Sequence, residues 1–181
     1  MAIPLRKPNE IEKLRNANII VAKTLNFLSK SVKAGMTLKE VDTMGEKFLR
    51  DLGARPSFKG LYGFPAAICT SLNEVIIHGI PTDVVLKEGD ILGIDIGSEI
   101  DGWYGDSAIT MPIGKISKED EALIACAKDS LYYAIDVIKE GMRFKELSKL
   151  IEDFITSRGY QPLVRFCGHG IGKKPHEEPE I

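Results

Sequence analysis

The sequence contains an internal repeat whose two copies lie 106 residues apart. Residues 35–56 (GMTLKEVDTMGEKFLRDLGARP) align without a gap with residues 141–162 (GMRFKELSKLIEDFITSRGYQP), and eight of the 22 positions are identical. Two unrelated amphipathic helices would not also share the glycines at both ends and the closing proline. Repetition at a fixed offset indicates a duplicated structural unit. We therefore predict an α+β fold of two pseudo-symmetric helix–helix–sheet halves, with a site between them.

Helix-start signals and hydrophobic spacing place the elements of this duplicated unit. Asn9 with Glu12, the capping box of Thr37 and Glu40, and Ser117 with Asp120 are typical of helix N-termini. We predict helices over residues 9–35, 37–53, 117–140 and 144–158, and strands over residues 66–72, 75–78, 90–97 and 103–111. We expect one domain over residues 1–181, with a first half of about 9–115 and a partial second half of about 116–181.

Two aspartates lie eleven residues apart in the segment GIDIGSEIDGWYGDSAIT. The Asp101-Gly102 dipeptide between them is a strong hairpin signal, and this turn pairs Asp95 with Ala108. Asp106 then lies on the same face as Asp95, because strand side chains alternate with period two. Two facing carboxylates repel unless one is protonated or a cation lies between them. The pair favours a divalent metal site, although either aspartate alone could simply end a strand or cap a turn.

Each of the three histidines lies in a glycine- or proline-rich loop: His78 in HGIP, His169 in CGHGIG and His176 in PHEEP. Histidine and carboxylate together form a ligand set for a divalent transition metal, and unligated histidines can move protons or hold a substrate. For any one of them a structural histidine remains the alternative. The adjacent glutamates at 177–178 are typical of a solvated loop, and Cys167 lacks an independently placed base.

Composition excludes several classes of function. The net charge is −2 with a pI near 6.0, and the sequence has no long basic run, which argues against nucleic acid as the primary ligand. The N-terminus lacks the apolar stretch of a secretory signal, and no apolar run could span a membrane. Three cysteines without metal-like spacing indicate a reducing compartment. We expect a soluble protein of the cytoplasm.

Four motifs, in this order and spacing, resemble those of the type I methionine aminopeptidases: NEVIIHGIP, GDILGIDIGSEIDGWYGDSAIT, CGHGIG and HEEP. The resemblance covers essentially the whole chain. It implies the pita-bread fold, with a dinuclear metal centre in the cleft between two pseudo-symmetric halves. It also implies metal-dependent removal of the initiator methionine from nascent proteins whose second residue is small.

Carried over by position, the resemblance implies a role for seven residues of this sequence. Asp95, Asp106 and His169 would be metal ligands, with Asp106 bridging two divalent ions, which could be Co, Mn, Fe or Zn. His78 and His176 would contact the scissile peptide and act in catalysis, while Phe64 and Cys69 would line the pocket for the methionine side chain. Two local departures are Leu61, where tyrosine is more usual, and Pro175, where many members carry an aromatic residue.

The family supplies two further ligands, both glutamates, downstream of HEEP, and the 181 residues do not include them. At the offset of 106, Ile181 corresponds to Val75, so the second half is expected to be incomplete. We therefore expect this truncated chain to bind metal weakly, to have little or no activity, and to expose apolar surface that favours instability or self-association.

The resemblance implies the N-terminal peptide of a nascent protein as partner, leaves room for transient ribosome association, and implies a monomer for the complete enzyme. Two other functions remain open at this point. One is a non-catalytic module of the same fold that binds a peptide or the ribosome. The other is a proline-specific peptidase, although those relatives usually carry a large extra N-terminal domain.

Overall fold

A computed structural model describes residues 3–181, which divide into two compact units. The first, here called the sheet unit, comprises residues 4–116 and 171–176. The second, the helix-pair unit, comprises residue 3 with residues 117–170 and 177–181. In the described part of the chain, no helix combines the length and apolar character needed to cross a membrane.

The sheet unit packs two helices against a four-stranded antiparallel sheet. Its helices are α1 (Pro8–Ser31) and α2 (Leu38–Asp51), and its strands are β1 (Arg55–Pro56), β2 (Ile68–Leu72), β3 (Ile91–Ile100) and β4 (Trp103–Pro112). Strand β3 is central, because β1 and β2 pair along one of its edges and β4 pairs along the other. Asp101 and Gly102 form the β3–β4 turn with φ of 52° and 73°, as a two-residue hairpin loop requires.

The apolar faces of both helices and of the sheet form one core. Its fully buried members include Val21 and Leu28 of α1, Leu49 of α2, and Ile94 and Ile96 of β3. Strand residues that alternate with these core positions face the opposite side of the sheet. That opposite side carries the functional side chains described below.

In the helix-pair unit, α3 (Lys118–Val137) packs against α4 (Phe144–Thr156), and the short strands β5 (His169–Gly170) and β6 (Glu177–Glu180) form a hairpin. Tyr133 and Phe154 join the helices, with ring centroids 4.6 Å apart. Helix α3 also exposes several apolar side chains, among them Leu131, Tyr132 and Ile135. The self-association expected from exposed apolar surface stays a prediction.

The structure reproduces the helical part of the repeat. Helix α2 begins at Leu38 and helix α4 at Phe144, so their first residues differ by the offset of 106 found in the sequence. The predicted capping box of Thr37 and Glu40 is confirmed, because each side chain hydrogen-bonds the other residue's backbone N–H. The predicted helix start at Asn9 was wrong, since α1 begins at Pro8 and the Glu10 carboxylate accepts from the Lys7 backbone N–H at 3.0 Å.

The predicted strand over residues 75–78 is absent. The chain leaves β2 in a turn at Asn73, whose φ is 49°, and the Val75 N–H donates to the carbonyl of Leu72 within that turn. The chain meets β2 again only at Gly79, whose carbonyl accepts from the Thr70 N–H at 2.8 Å. A short apolar run resembles a buried strand, but here the backbone curls before it can pair. The other predicted elements form, with ends shifted by up to four residues.

Candidate active site

The hairpin brings the two aspartates together as the sequence predicts. Asp95 pairs with Ala108, and Asp106 pairs with Gly97 two positions along β3. Both side chains therefore lie on the face opposite the core. Cys69 of β2 pairs with Asp95 from the other edge of β3 and belongs to the same face. Three neighbouring strands thus contribute to one surface.

Burial and mutual repulsion shift the pKa values of the ionisable groups on this surface. Burial, the negative charge of Asp106 and a hydrogen bond between the two carboxyl groups together raise the pKa of Asp95 to about 7, and burial is the largest of these causes. Burial, together with the smaller effect of the charges of Asp95, Asp106 and Asp42, raises the pKa of the Cys69 thiol to about 12. The thiol therefore stays protonated near neutral pH. The carboxyl pair, by contrast, would ionise fully if a cation were bound.

Helix α1 fixes the backbone beneath Asp106 at close range. Gly105 leaves no room for a side chain, because a Cβ there would lie 2.6 Å from the carbonyl carbon of Ala17. The buried Ser98 hydroxyl donates to the carbonyl of Ala17 at 2.9 Å, and the amide oxygen of Asn18 accepts from the Asp106 N–H at 3.2 Å. Sequence reasoning missed Asn18, because its contact spans 88 residues and no local pattern marks it.

Helix α2 fixes the start of β2 in a similar way. One carboxylate oxygen of Asp42 accepts from the backbone N–H groups of Ala67 and Ile68, both at 2.9 Å. Burial raises the pKa of Asp42, although both hydrogen bonds act in the opposite direction. This contact holds the entry to β2 immediately before Cys69. Asp42 lies inside the predicted second helix, and the only sequence signal for its burial is its position among apolar residues.

His78 is held in a strained backbone conformation beside the sheet. Its φ is 54°, in the left-handed region that non-glycine residues rarely occupy. Gly79 follows directly and packs so closely on β2 that a Cβ would overlap the carbonyl oxygen of Thr70. The Gly79 N–H also donates to the Ser71 hydroxyl at 3.2 Å. Strain of this kind is often found at functional sites, and the side chain of His78 is exposed.

His176 belongs to the sheet unit and lies beside an exposed tyrosine. The centroids of the His176 and Tyr62 rings are 6.2 Å apart. Tyr62 has a φ of 49° in the 3₁₀ turn Leu61–Gly63 and is 88% exposed. The Gly60 N–H closes this loop by donating to the Phe64 carbonyl at 2.8 Å. Phe64 is half-buried at the end of the loop, and Cys69 is buried in β2.

His169 lies in the helix-pair unit, in strand β5 opposite Glu180 of β6. Its Nδ1 is 3.0 Å from the carbonyl oxygen of Gly170, which can only accept, so Nδ1 carries the proton and Nε2 is the nitrogen suited to ligation. Within each unit of residues 3–181 taken alone, no further His, Cys, Asp or Glu side chain joins the aspartate pair to form a metal-binding group. Cys167 is exposed.

Comparisons with known proteins identify the family of this chain. The model of metallopeptidase family M24 matches residues 12–181. The chain is 60% identical over all 181 residues to the methionine aminopeptidase of Helicobacter pylori and spans 72% of its length. A crystal structure of methionine aminopeptidase from Rickettsia prowazekii matches with a TM-score of 0.97 and 32% identity, covering 99% of this chain and 73% of that one.

A prolidase from Pyrococcus furiosus also matches, with a TM-score of 0.87 at 23% identity over 97% of this chain and 51% of that one. At this identity the likeness shows the fold alone. The chain therefore belongs to metallopeptidase family M24 and, within it, to the type I methionine aminopeptidases of pita-bread fold.

Membership of this family implies a divalent metal cofactor. The aspartate pair fits such an ion, since carboxylate oxygens suit divalent cations and a cation relieves the repulsion that raises the pKa of Asp95.

Proposed function

We propose that this protein removes the N-terminal methionine from nascent proteins with a small second residue, in a metal-dependent hydrolysis. One observation carries the proposal: Asp95 and Asp106 face each other on β3 and β4 in a chain 60% identical to a methionine aminopeptidase. A site without function would have no reason to keep two carboxyl groups whose burial and mutual repulsion raise the pKa of Asp95 to about 7.

Asp95, Asp106 and His169 would hold the two divalent ions; Co, Mn, Fe and Zn all suit this mixture of oxygen and nitrogen donors. A bound divalent ion polarises the peptide carbonyl and brings the pKa of water toward neutrality. The hydrogen bond from His169 Nδ1–H supports the role of His169 as a ligand, because it orients the ring and leaves Nε2 on the side away from this contact.

The remaining site residues would bind the peptide and stabilise charge. We assign His78 and His176 to hydrogen bonds with the scissile peptide and with the oxyanion that develops from its carbonyl. Loss of one such donor typically raises the barrier by about 3–4 kcal/mol. Phe64 and Cys69 would line the methionine pocket, where an apolar wall with a neutral thiol suits a thioether side chain.

Several wider assignments belong to the same proposal. The substrate is the N-terminal peptide of a nascent protein, with transient association with the ribosome, and the complete enzyme is a monomer of the cytoplasm. Residues 9–115 and 116–181 would be a first half and a partial second half of one domain, which the matching starts of α2 and α4 support.

The two other functions are less well supported. A proline-specific peptidase rests on relatives such as the prolidase at 23% identity, whereas the methionine aminopeptidase match reaches 60%. A non-catalytic binding module would predict peptide binding that a chelator does not change. Peptide binding measured with and without a chelator therefore tests this alternative.

Metal binding by the purified chain tests the proposal directly. Mn²⁺ titrated into the protein in a calorimeter should bind, and Asp106→Asn should weaken the affinity at least tenfold. Asp101→Asn is the matched control: it makes the same chemical change in the same hairpin, at an exposed turn position where asparagine tolerates positive φ. Equal affinity in the Asp106→Asn variant and the control would contradict the proposed site.

Release of methionine from a Met-Ala-Ser peptide with Co²⁺ or Mn²⁺ completes the test. The little or no turnover expected from the sequence stays a prediction. Robust release that Asp106→Asn abolishes would overturn that expectation and would support the proposed reaction.

A further inference from the structure

The segment that carries His176 is fixed to the sheet unit through its backbone at Gly172. The Tyr104 N–H of β4 donates to the Gly172 carbonyl at 2.8 Å, and Gly172 is buried. The Gly172 N–H in turn donates to the carbonyl of Lys174 at 3.2 Å, which closes a turn around Lys173. The side chain of Lys173 is therefore presented from a tight turn on the edge of the hairpin.

Lys173 meets two groups from different elements. Its ammonium nitrogen is 5.4 Å from the centroid of the Trp103 ring at the start of β4, and 3.7 Å from Oε1 of Glu10 on helix α1. The indole is only 3% exposed, and the guanidinium of Arg6 lies 5.4 Å from its ring centroid. Glu10 is itself held, because its other oxygen accepts from the Lys7 N–H at 3.0 Å.

The two residues between Lys173 and His176 form a stiff connection. Pro175 has a fixed φ and restricts Lys174 to extended conformations. We therefore expect a displacement of Lys173 to reach the imidazole instead of being absorbed between the two residues. That ring lies 6.2 Å from the ring of Tyr62, which its own loop holds in the left-handed region. The position of His176 relative to Tyr62 thus depends on how the segment is anchored.

We propose that Lys173 is a positioning residue for His176: by binding Trp103 and Glu10 it anchors residues 171–176 and places the imidazole beside Tyr62. This role rests on the function proposed for His176, but the anchoring can be measured without metal or turnover. Cation–π and ion-pair contacts at a partly exposed site are individually modest and sensitive to salt. Anchoring of this kind can accordingly be weakened without unfolding the sheet unit.

The protein itself supplies two reporters for a test. Trp103 is the only tryptophan in the sequence, so acrylamide quenching of its fluorescence reports exposure of the indole beneath Lys173. The sequence has three histidines, so the Cε1–H resonance of His176 can be assigned by its loss in His176→Gln. Tyr62→Leu should shift the same resonance, which establishes that it reports the ring contact.

The decisive variants are Lys173→Gln, Lys173→Arg and the neighbouring control Lys174→Gln. Lys173→Gln should raise the quenching constant at Trp103 at least twofold and shift the His176 resonance in the direction seen for Tyr62→Leu. Lys173→Arg keeps a cation over the indole and opposite Glu10, and should restore both signals. Lys174→Gln should leave both unchanged, and 1 M salt should reproduce the Lys173→Gln result in the unmodified chain.

Two outcomes would overturn the inference. A change at Trp103 without a change at His176 would mean that Lys173 only covers the indole, and no change at either reporter would mean that it anchors nothing. A failure of metal binding or peptide cleavage would instead count against the proposed function. It would leave the inference about Lys173 untouched, because neither the Trp103 nor the His176 signal depends on metal or turnover.

Discussion

Replacing Asp95 with asparagine should stabilise the metal-free protein at neutral and alkaline pH while abolishing its metal binding. Asparagine has the shape of a protonated aspartate but no charge to bury. In the folded protein, burial and the charge of Asp106 raise the pKa of Asp95 to about 7, against an ordinary value of 3.8. The folded state therefore binds the proton more tightly than the unfolded chain, and stability falls as pH rises from about 4 to about 7.

The size of the effect follows from the difference between the two pKa values. About three pKa units correspond to about 4 kcal/mol at pH 8, where Asp95 is ionised in both folded and unfolded states. At pH 5 only the unfolded chain has lost its proton, and the same relation gives about 2 kcal/mol. The stability gain of Asp95→Asn over the unmodified chain should thus roughly double between pH 5 and pH 8. Asp106→Asn should give a smaller gain, because burial is the largest cause of the shift.

Urea unfolding followed by circular dichroism, with a chelator present, measures this gain at each pH. Taking the difference between variant and unmodified chain cancels the titration of groups that do not interact with Asp95, and Asp101→Asn again serves as the control. Saturating Mn²⁺ should reverse the order, since a ligand stabilises only the protein that binds it. A loss of stability in Asp95→Asn that is equal at pH 5 and pH 8 would refute the reasoning, because it would assign the carboxyl a purely structural role.

Two further predictions concern the supports of the site, and urea unfolding measures both. Asp42→Ala should lower the free energy of unfolding by about 3 kcal/mol, because it removes the acceptor of two backbone N–H groups at Ala67 and Ile68, and Asp42→Asn should lower it less; equal losses would contradict the hydrogen-bond explanation. Gly105→Ala should lower it by about 1–3 kcal/mol, since the new methyl group must displace the backbone of α1 at Ala17. Unchanged stability in Gly105→Ala would show that α1 does not press on β4 as described.

Local signals in the sequence were sufficient for much of the sheet unit. The Asp101-Gly102 turn and the alternation of side chains fixed the hairpin register, and the pairing of Asp95 with Ala108 is confirmed. The strand predicted over residues 75–78 was wrong, because an apolar run does not reveal whether a partner edge is within reach. The helix start assigned to Asn9 was wrong as well, since lysine at position 7 is not a typical cap.

The sequence by itself determined the duplicated helices, the hairpin and the facing aspartates, because each depends on residues close together in the chain or on a repeated pattern. The resemblance of its motifs also identified the family. Only the tertiary structure placed Asn18 under Asp106, Asp42 under β2 and Lys173 against Trp103, since these contacts join residues separated by 25 to 88 positions along the chain. Packing of α1 and α2 on the sheet decides such contacts, and no local pattern records it. The same packing raises the pKa of Asp95, because burial is a property of the folded chain.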